Sequence, residues 1–463
     1  MCGIIGYSGP KEPLPILISG LSRLEYRGYD SAGVALIDGD NLSIEKKEGK
    51  LSVLKEHLEG TSIKGNIGIG HTRWATHGVP SDVNAHPHAD NANEFAIIHN
   101  GIIENYAELK DDLIQDDYSF ISETDTEVVA VELSRKWNGE LLDTVLDVAK
   151  SLDGTYALVV TSTKQPGTIV AGRMMSPLVL GVGEGEVFLA SDSAAILEYT
   201  NKMIFLENGD FVEINNGNFT LYDIEKNVIT RDIQVIDWEV SEAEKAGHDH
   251  FMYKEILEQA EVIERTIAGR IEKNSTEIPI HLDKAKKFEK IWIVACGTAY
   301  HAGLFGKDLF EKVLGVPVSV ELASEFRYRE PIIGKNDLAI VISQSGETMD
   351  TIAATELLKE NGSHVLALVN VVGSSLARMA DSVFYLHVGP EIGVASTKAY
   401  LGMLVGQLLL AKHWDSNNKL DTSLEEIKAL PSLIEEALKC EDQVKQISKL
   451  IYKKKDIYFI GRG

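Results

Sequence analysis

The sequence predicts two regions of mixed α and β structure, the first of the α+β type and the second a doubly wound parallel α/β domain. In the first half, short strand-like runs bounded by Gly, Asn or Asp alternate with helix-like runs, which is typical of sheet layers flanked by helices. From residue 290 onward, apolar runs with little alternation are each followed by a helical segment, as in a parallel sheet buried on both faces. The length of 463 residues favours two or three domains.

The individual elements follow from turn residues and hydrophobic periodicity. A Thr-Asp-Thr start signal precedes a helical pattern in which Val128 and Val131 recur at helical spacing. In the first half we predict strands at Asn66–Gly70, Phe95–His99, Tyr156–Thr161, Val187–Ala190 and Phe211–Ile214, and helices at Leu14–Tyr26 and Asp125–Trp137. In the second half we predict one long amphipathic helix at Tyr253–Ile271 and strands at Ile291–Ala295, Leu338–Ile342 and Val365–Val369.

The domain boundaries are predicted from a shift in composition. Residues 238–250 are polar and charged, which is typical of a linker. The last residues, Asp456–Gly463, begin another unit of strand and glycine loop without a following helix. We therefore predict a first domain at 1–238, a linker at 239–252, a second domain at 253–430, and the incomplete start of a further unit at 431–463.

Composition and charge exclude several classes of partner. The formal net charge is −25, and residues 1–240 carry most of it, with 18 basic and 38 acidic side chains. Such a surface repels a phosphate backbone, so we expect no nucleic-acid partner.

The cysteine count and the apolar stretches indicate the compartment. Three cysteines suit a reducing compartment, and the most apolar stretch, Leu401–Leu410, is too short to cross a bilayer. We therefore expect a cytoplasmic protein without a membrane partner.

Cys2 is the first residue whose chemistry stands out. Once Met1 is removed, as expected before a small side chain, Cys2 carries an α-amine with an ordinary pKa of about 7.7–8.0 beside a thiol of about 8.5. The amine can accept the thiol proton directly or through one water, so a single residue supplies nucleophile and base. Taken alone, the position would be incidental, because any residue can follow the initiator methionine.

Six sequence segments, one of which contains Cys2, form a recognisable set of motifs. They are MCGIIGY at the start, LEYRGYDSAG at 24–33, HTRWATHG at 71–78, NAHPH at 84–88, HNGIIENY at 99–106 and SETDTE at 122–127. Together they resemble the glutaminase domain of class II amidotransferases, and with its second half the chain resembles the glutamine–fructose-6-phosphate aminotransferase (isomerising) family essentially from residue 1 to 463. The resemblance implies an N-terminal-nucleophile αββα sandwich followed by a sugar isomerase (SIS) domain.

The resemblance also implies roles for the residues around Cys2. A side-chain amide and a backbone N–H can stabilise a tetrahedral oxyanion, and a guanidinium can form a bidentate pair with the carboxylate of glutamine. On local pattern alone, Asn-Gly is a hairpin turn, Arg73 a surface charge and Asp125 a helix N-cap. The implied roles are Asn100 and Gly101 in the oxyanion hole; Arg73, Thr76, His77 and Asp125 in glutamine binding; Trp74 in ammonia gating; and Arg27 in support of the nucleophile.

The first half also contains five clustered histidines, which raise the alternative of a metal site. They are His71, His77, His86, His88 and His99. The segment contains neither HExxH nor a facial-triad spacing, and the resembling family needs no metal. We therefore expect no metal and no cofactor.

In the second half, the segment SQSGET lies between a buried strand and a helix. Hydroxyls and N–H groups at a helix N-terminus form an anion site, and the segment lacks the P-loop pattern of nucleotide-binding proteins. Ala299 departs from the family, where many members carry Ser, and Cys296 is interpreted as an inert buried residue. The resemblance implies sugar-phosphate contacts from Ser343, Gln344, Ser345, Thr348, Thr298, Val394, Ser396 and Lys398.

The function implied by the resemblance is synthesis of glucosamine 6-phosphate from fructose 6-phosphate, with ammonia released from glutamine at Cys2. The implied assembly is a homodimer through the SIS domains. In the family, the isomerisation residues come from the second SIS half, so we expect this chain to retain only the glutaminase half-reaction. Two alternatives are a glutaminase coupled to phosphoribosyl transfer, which would need an acidic pyrophosphate motif, and a non-catalytic sugar-phosphate sensor.

Overall fold

The structure is a computed structural model that describes residues 2–25, 28–61, 63–75, 77–236, 247–272, 275–278 and 288–461. The chain divides into two compact units: Met1–Glu244 with Val372–Arg378, and Lys245–Val371 with Met379–Gly463. Much of the predicted linker, residues 239–246, lies outside the described ranges. The predicted boundaries at 238, 252 and 430 stay predictions.

The first unit is built on two antiparallel sheets flanked by helices. Its strands are β1 (Gly3–Ser8), β2 (Ser31–Asp38), β3 (Asn41–Glu48), β4 (Ile67–Arg73), β5 (His88–Ala89), β6 (Phe95–Ile103), β7 (Gly154–Ser162), β8 (Thr168–Met174), β9 (Val179–Val182), β10 (Val187–Ala190), β11 (Lys202–Phe205), β12 (Phe211–Asn215), β13 (Asn218–Tyr222), β14 (Val228–Ile229) and β15 (Gln234–Val235). Its helices are α1 (Pro13–Leu24), α2 (Leu51–Leu58), α3 (Tyr106–Gln115), α4 (Asp125–Arg135) and α5 (Leu141–Ala149), with a 3₁₀ turn at Ser193–Ala195.

The two sheets pack face to face. The eight-stranded sheet has the order β15-β11-β9-β10-β1-β4-β2-β3, and the seven-stranded sheet has the order β14-β13-β12-β8-β7-β6-β5. Ile69 of the first sheet and Ile98 of the second share the apolar layer between them. The outer faces are covered by helices, through Leu17 of α1 on one side and Val145 of α5 on the other. This is the predicted αββα sandwich, and the predicted fold class is confirmed.

The Asn100-Gly101 pair lies inside a strand and does not form the hairpin turn that the dipeptide favours locally. Strand β6 continues to Ile103, and Asn100 and Gly101 pair with Ala157 and Tyr156 of β7. Gly101 has φ +127°, and a Cβ there would lie 1.9 Å from the carbonyl oxygen of Thr155. Only glycine fits this close approach of two strands.

The second unit has a parallel sheet with helices around it. Its helices are α6 (Phe251–Leu257), α7 (Gln259–Ile267), α8 (Gly297–Leu314), α9 (Ala323–Phe326), α10 (Met349–Glu360), α11 (Ser375–Met379), α12 (Lys398–Trp414), α13 (Leu424–Lys428), α14 (Leu430–Leu438) and α15 (Glu441–Ile451); α11 begins within the segment grouped with the first unit. Its strands are β16 (Ile271–Glu272), β17 (Ser275–Thr276), β18 (Ile291–Ala295), β19 (Val318–Leu322), β20 (Leu338–Ser343), β21 (His364–Val369) and β22 (Ser382–Tyr385).

The strand order of the parallel sheet identifies its doubly wound topology. The order is β19-β18-β20-β21-β22, so the chain starts in the interior, moves to one side and then returns to the other. All five strands are parallel. Alternate residues Ile291 and Ile293 contribute to an apolar cluster shared with α7, α8 and α12. Full burial explains why these strands are continuous apolar runs in the sequence.

Two sequence predictions about the second unit are wrong. The long helix at Tyr253–Ile271 is two helices that meet at Glu258, and it ends at Ile267 because Gly269 takes a left-handed φ of +70°. The segment from Asp456 forms no strand within the described residues, since a parallel strand needs a hydrogen-bonded neighbour. The apolar side chains of that segment are exposed.

The predicted apolar stretch Leu401–Leu410 lies within α12. Among the helices that the structure describes, none is both long enough and apolar enough to cross a membrane.

Candidate active site

Cys2 lies immediately before β1, where residues from both sheets of the first unit reach it. Its Sγ accepts a hydrogen bond from the Trp74 backbone N–H at 3.2 Å and lies 3.5 Å from the Trp74 carbonyl oxygen. The Cys2 carbonyl accepts a hydrogen bond from Asn100 Nδ2 at 2.9 Å. Burial raises the pKa of the Cys2 thiol above its ordinary value, and the Trp74 N–H opposes that shift. The thiol therefore needs a base to form a thiolate near neutral pH.

Arg73, the last residue of β4, is not a surface charge. Its side chain is buried, and Nη2 donates to the carbonyl oxygens of His77 and Gly78, the latter at 3.2 Å. In the part of the chain that the structure describes, Nη1 is buried and has no hydrogen-bond partner. A buried guanidinium nitrogen without an acceptor carries a desolvation cost that an anionic ligand would remove.

Asp125 is the first residue of α4, and the N-cap of that helix is Thr124 instead. Asp125 Oδ2 accepts a hydrogen bond from the backbone N–H of Ile103 at 2.9 Å, so the carboxylate is tied to the end of β6. His99 Nδ1 lies 4.0 Å from the same oxygen. The Asp125 carboxylate is thus buried and fixed near the strand that carries Asn100.

The loop that precedes Asp125 is held by a buried carboxylate. Glu127 accepts hydrogen bonds from the backbone N–H groups of Ile121 and Ser122 at 2.9 and 2.7 Å, and from the Ser122 hydroxyl at 2.6 Å. Asn84 connects this loop to the NAHPH segment, because its Oδ1 accepts from the Glu123 backbone N–H at 2.9 Å. Sequence reasoning did not assign roles to Glu127 and Asn84, although both lie in the motifs that carried the resemblance.

Of the remaining predicted residues of this site, two pack against aromatic rings and two lie outside the described residues. Trp74 is 45% exposed and packs edge-on against Tyr29, with ring centroids 5.3 Å apart. His77 packs edge-on against Tyr106 at the same centroid separation. Arg27 and Thr76 lie outside the described residues, so their predicted roles stay predictions.

Four of the five clustered histidines are buried around this site, and burial keeps them neutral. It lowers the pKa of His71 to about 3 and the pKa values of His86 and His88 well below the ordinary value. The rings of His71 and His86 stack with centroids 4.2 Å apart. Within the described residues, no group of three or more His, Cys, Asp or Glu side chains is arranged to hold a metal ion.

The second unit has a cavity of about 190 Å³ at the carboxyl ends of β18 and β20. The strand order reverses between these two strands, and open parallel sheets bind ligands at such a switch point. Seven of the eight predicted sugar-phosphate residues line the cavity: Thr298, Ser343, Gln344, Ser345, Thr348, Val394 and Ser396.

The loop after β20 brings hydroxyls to the start of a helix. Thr348 is the N-cap of the 12-residue helix α10, and its Oγ1 lies 3.1 Å from Ser343 Oγ. Ser343 Oγ accepts from the Gly346 N–H at 3.0 Å, and Ser345 Oγ accepts from the Glu347 N–H at 3.2 Å. Hydroxyl donors and the positive end of a helix therefore converge on the cavity, an arrangement that favours a phosphate.

Lys398 is the predicted sugar-phosphate residue that does not line the cavity. Its side chain is 1% exposed, and its Nζ lies 2.7 Å from Glu258 Oε2. A buried ammonium needs such a partner, and the predicted sugar contact of Lys398 stays a prediction. The neighbouring Glu391 carboxylate holds the loop before α12 through the Ser396 hydroxyl and the Thr397 N–H, each at 2.8 Å.

Cys296 is a cavity residue that sequence reasoning missed. It lines the wall together with Ala299, Ile342 and Met403. Its position directly after β18, at the N-cap of α8, could have predicted that it lines the cavity, because the cavity lies at the carboxyl ends of the strands. Cys296 is partly exposed, which corrects its interpretation as a buried residue. Burial of part of the side chain raises the pKa of the thiol, which stays protonated at neutral pH, and its inertness stays a prediction.

Comparison with known proteins first defines the class. A glutamine amidotransferase domain matches residues 56–237, and an SIS domain matches residues 284–412. The first match lies in the first unit, and all of the second match except residues 372–378 lies in the second unit. The chain is therefore of the class that combines a glutamine amidotransferase domain with an SIS domain.

Individual relatives then define the family. The glutamine–fructose-6-phosphate aminotransferase (isomerizing) of Caldanaerobacter subterraneus subsp. tengcongensis is 48% identical over 473 residues, which cover 100% of this chain and 78% of the relative. That of Aquifex aeolicus is 45% identical over 462 residues, covering 100% and 77%. The chain belongs to the glutamine–fructose-6-phosphate aminotransferase (isomerizing) family.

Among solved structures, the C-terminal domain of glucosamine-fructose-6-phosphate aminotransferase from Francisella tularensis is 38% identical, with a TM-score of 0.44, over 48% of this chain and 65% of that one. The predicted family is confirmed, and membership decides against the phosphoribosyl-transfer and sensor alternatives. The relatives match the whole of this chain, and the expected glutaminase-only activity stays a prediction that these matches do not support.

Proposed function

We propose that the chain makes glucosamine 6-phosphate from fructose 6-phosphate and glutamine, with Cys2 hydrolysing glutamine and the switch-point cavity binding the sugar phosphate. Family membership supports the overall reaction. The observation that carries the assignment of the nucleophile is that the Trp74 N–H and the Asn100 amide both bond to Cys2. Beside them lies a buried Arg73 nitrogen that has no hydrogen-bond partner among the described residues.

In the glutaminase step, the α-amine of processed Cys2 takes the thiol proton, and Sγ attacks the amide carbon of glutamine. A C–S bond forms, and the oxyanion is stabilised by Asn100 Nδ2 and the Gly101 N–H. Collapse breaks the C–N bond, and the proton on the amine goes to the leaving nitrogen, which departs as ammonia. Water then cleaves the thioester, which releases glutamate and restores the thiol.

The carboxylate and ammonium of glutamine need their own partners. Arg73 Nη1 meets the carboxylate, because two backbone carbonyls already orient the guanidinium and Nη1 is buried without a partner within the described part of the chain. Asp125 accepts from the ammonium group. We keep Thr76 and His77 as further glutamine contacts, with Trp74 as the ammonia gate and Arg27 as a support for the nucleophile.

In the second unit, the Ser343–Thr348 loop holds the phosphate group of the sugar. Thr298, Val394 and Ser396 lie along the rest of the cavity, where the sugar carbons would extend. Ammonia adds to the C2 carbonyl with loss of water to give an imine. A proton then moves from C1 to C2, and the hydrogen of the C1 hydroxyl moves to the imine nitrogen, which gives the 2-amino aldose phosphate.

The test measures glutamate and glucosamine 6-phosphate separately in the wild-type protein and in Cys2→Ala, after mass spectrometry has shown that Met1 is removed. We expect Cys2→Ala to lose glutamine hydrolysis by at least about a thousandfold. Binding of fructose 6-phosphate, measured by calorimetry, should not change. Cys440→Ala, at an exposed cysteine, is the matched control and should keep both activities. Glutamine turnover by Cys2→Ala at more than a few per cent of wild type contradicts the assignment.

We also propose a homodimer formed through the second unit, a cytoplasmic location, and no nucleic-acid or membrane partner. The assembly is supported by the family resemblance, and the location by three cysteines that are all unpaired. Light scattering of the purified protein tests the dimer, and a monomeric mass at micromolar concentration contradicts it.

A further inference from the structure

His71 on β4 is buried against the residue that we place in the oxyanion hole. Its side chain is 0% exposed. Its Nε2 lies 3.0 Å from Asn100 Oδ1 and 3.1 Å from the carbonyl oxygen of His99. Since β4 and β6 belong to different sheets, the contact joins the two sheets next to Cys2. The glutaminase steps above give His71 no role.

The His99 carbonyl determines which nitrogen of His71 carries the proton. A carbonyl oxygen can only accept a hydrogen bond, so Nε2 of His71 is the donor. Burial lowers the pKa of His71 to about 3, and the neutral ring therefore carries a single proton. Nδ1 is then unprotonated, and it has no hydrogen-bond partner within the described residues.

The protonated Nε2 in turn determines how the Asn100 amide is oriented. Asn100 presents Oδ1 to His71, because the opposite orientation would place two donors against each other. The Cys2 carbonyl, which accepts from Nδ2 at 2.9 Å, requires the same orientation from the other end of the amide. Nδ2 carries two hydrogens and donates one of them to the Cys2 carbonyl, so the second can donate to an oxyanion that forms at Cys2.

We propose that His71 is a positioning residue for glutamine hydrolysis, whose Nε2–H holds the Asn100 amide with its nitrogen towards Cys2. The inference rests on the proposed glutaminase function. A donor that is fixed before the oxyanion forms stabilises it without reorganisation, which is the largest part of such catalysis. Stacking of His86 on the ring supports the fixed orientation of His71.

The experiment compares His71→Leu with His71→Gln. Leucine fills the buried site without a donor, whereas the glutamine amide reaches about as far as Nε2 and can donate. For His71→Leu we expect kcat to fall about 10- to 100-fold, with the KM for glutamine within about twofold of wild type. His71→Gln should recover most of the loss. An unchanged kcat in His71→Leu, or an equal loss in both variants, overturns the proposal.

Two controls separate positioning from support of the fold. Alkylation of Cys2 by iodoacetamide needs the thiolate and no oxyanion hole, so its rate in His71→Leu should stay within about twofold of wild type. In the Asn100→Ala background, His71→Leu should lower kcat only slightly further, because the amide that His71 orients is no longer present. A parallel loss of alkylation, or the same kcat loss in both backgrounds, contradicts the proposal.

If His71→Leu does not fold, the proposal can be tested by measuring which ring nitrogen of His71 is protonated in the wild-type protein. In a two-bond ¹H–¹⁵N spectrum of histidine-labelled protein, with His71 assigned from His71→Gln, Nε2 should be protonated and Nδ1 not. The reverse tautomer, or a doubly protonated ring, overturns the proposal. Wild-type protein without glutaminase activity overturns the proposed function first, and this inference with it. An active wild type with an unaffected His71→Leu overturns the inference alone.

Discussion

The two units place their reactive groups in different ways. In the first unit, Cys2 and Asn100 lie next to or within buried strands, and both are held by hydrogen bonds between distant parts of the chain. In the second, the hydroxyls of Ser343 and Thr348 lie on a loop between a strand and a helix, and their nearest partners are a few residues away. Covalent chemistry needs a fixed geometry between several groups, whereas phosphate binding needs convergent donors and a helix N-terminus.

The largest effect on the first unit is expected when the strand that carries the oxyanion donors is displaced. In Gly101→Ala, the new Cβ would lie 1.9 Å from the Thr155 carbonyl oxygen at a φ that alanine rarely adopts. Strands β6 and β7 must separate, so we expect kcat for glutamine hydrolysis to fall about a hundredfold or more. Steady-state glutaminase assays measure the effect.

Gly139→Ala is the matched control for Gly101→Ala. Gly139 also has a positive φ, +106°, but a Cβ there meets nothing within 4 Å. We expect a loss of about 1 kcal/mol in unfolding free energy and an unchanged kcat. Similar kcat losses in the two variants would show that backbone strain alone, and not the position of β6, limits the reaction.

A smaller effect is expected from Arg73→Lys. Lysine keeps the charge but cannot both hold the two backbone carbonyls and form a bidentate pair with a carboxylate. The KM for glutamine should rise about tenfold or more, with a smaller change in kcat. Arg135→Lys, at a partly exposed salt bridge of the same unit, is the control. An unchanged KM for glutamine in Arg73→Lys would show that Arg73 does not bind the glutamine carboxylate.

The smallest effects are expected in the second unit, because several groups share the phosphate there. Ser345→Ala or Thr348→Ala removes one hydroxyl from the cavity, and calorimetry should show an affinity for fructose 6-phosphate lower by about five- to twentyfold. Glutamine hydrolysis should not change. Ser448→Ala, on the exposed face of α15, is the control. Equal affinities for fructose 6-phosphate in the cavity and control variants would show that the phosphate does not bind in this cavity.

Local patterns predicted most of the fold. Uninterrupted apolar runs predicted the buried parallel strands, and the run Val187–Ala190 coincides with β10. The long helix at Tyr253–Ile271 was wrong because hydrophobic spacing continues past Gly269, where the backbone turns left-handed. Periodicity reports which side chains face the core and is insensitive to a single backbone reversal.

The candidate sites were harder to predict where contacts are distant in sequence. The motifs pointed to Cys2 and Asn100, but the link from His71 to Asn100 joins two sheets and leaves no periodic signal. Lys398 follows a cavity loop in sequence, and only the structure shows that Glu258, 140 positions away, pairs with it. Sequence neighbours predict which segment forms a site, and tertiary packing decides which of its side chains point into it.

The most direct test of the central claim is covalent labelling of the processed wild-type protein with a chloromethyl ketone analogue of glutamine. We predict a single adduct, located by mass spectrometry on Cys2 and not on Cys296 or Cys440, which abolishes glutamine hydrolysis and leaves the affinity for fructose 6-phosphate unchanged. Excess glutamine should protect Cys2 from the label. An adduct on another residue that abolishes hydrolysis while Cys2 stays unlabelled would contradict the assignment of Cys2 as the nucleophile.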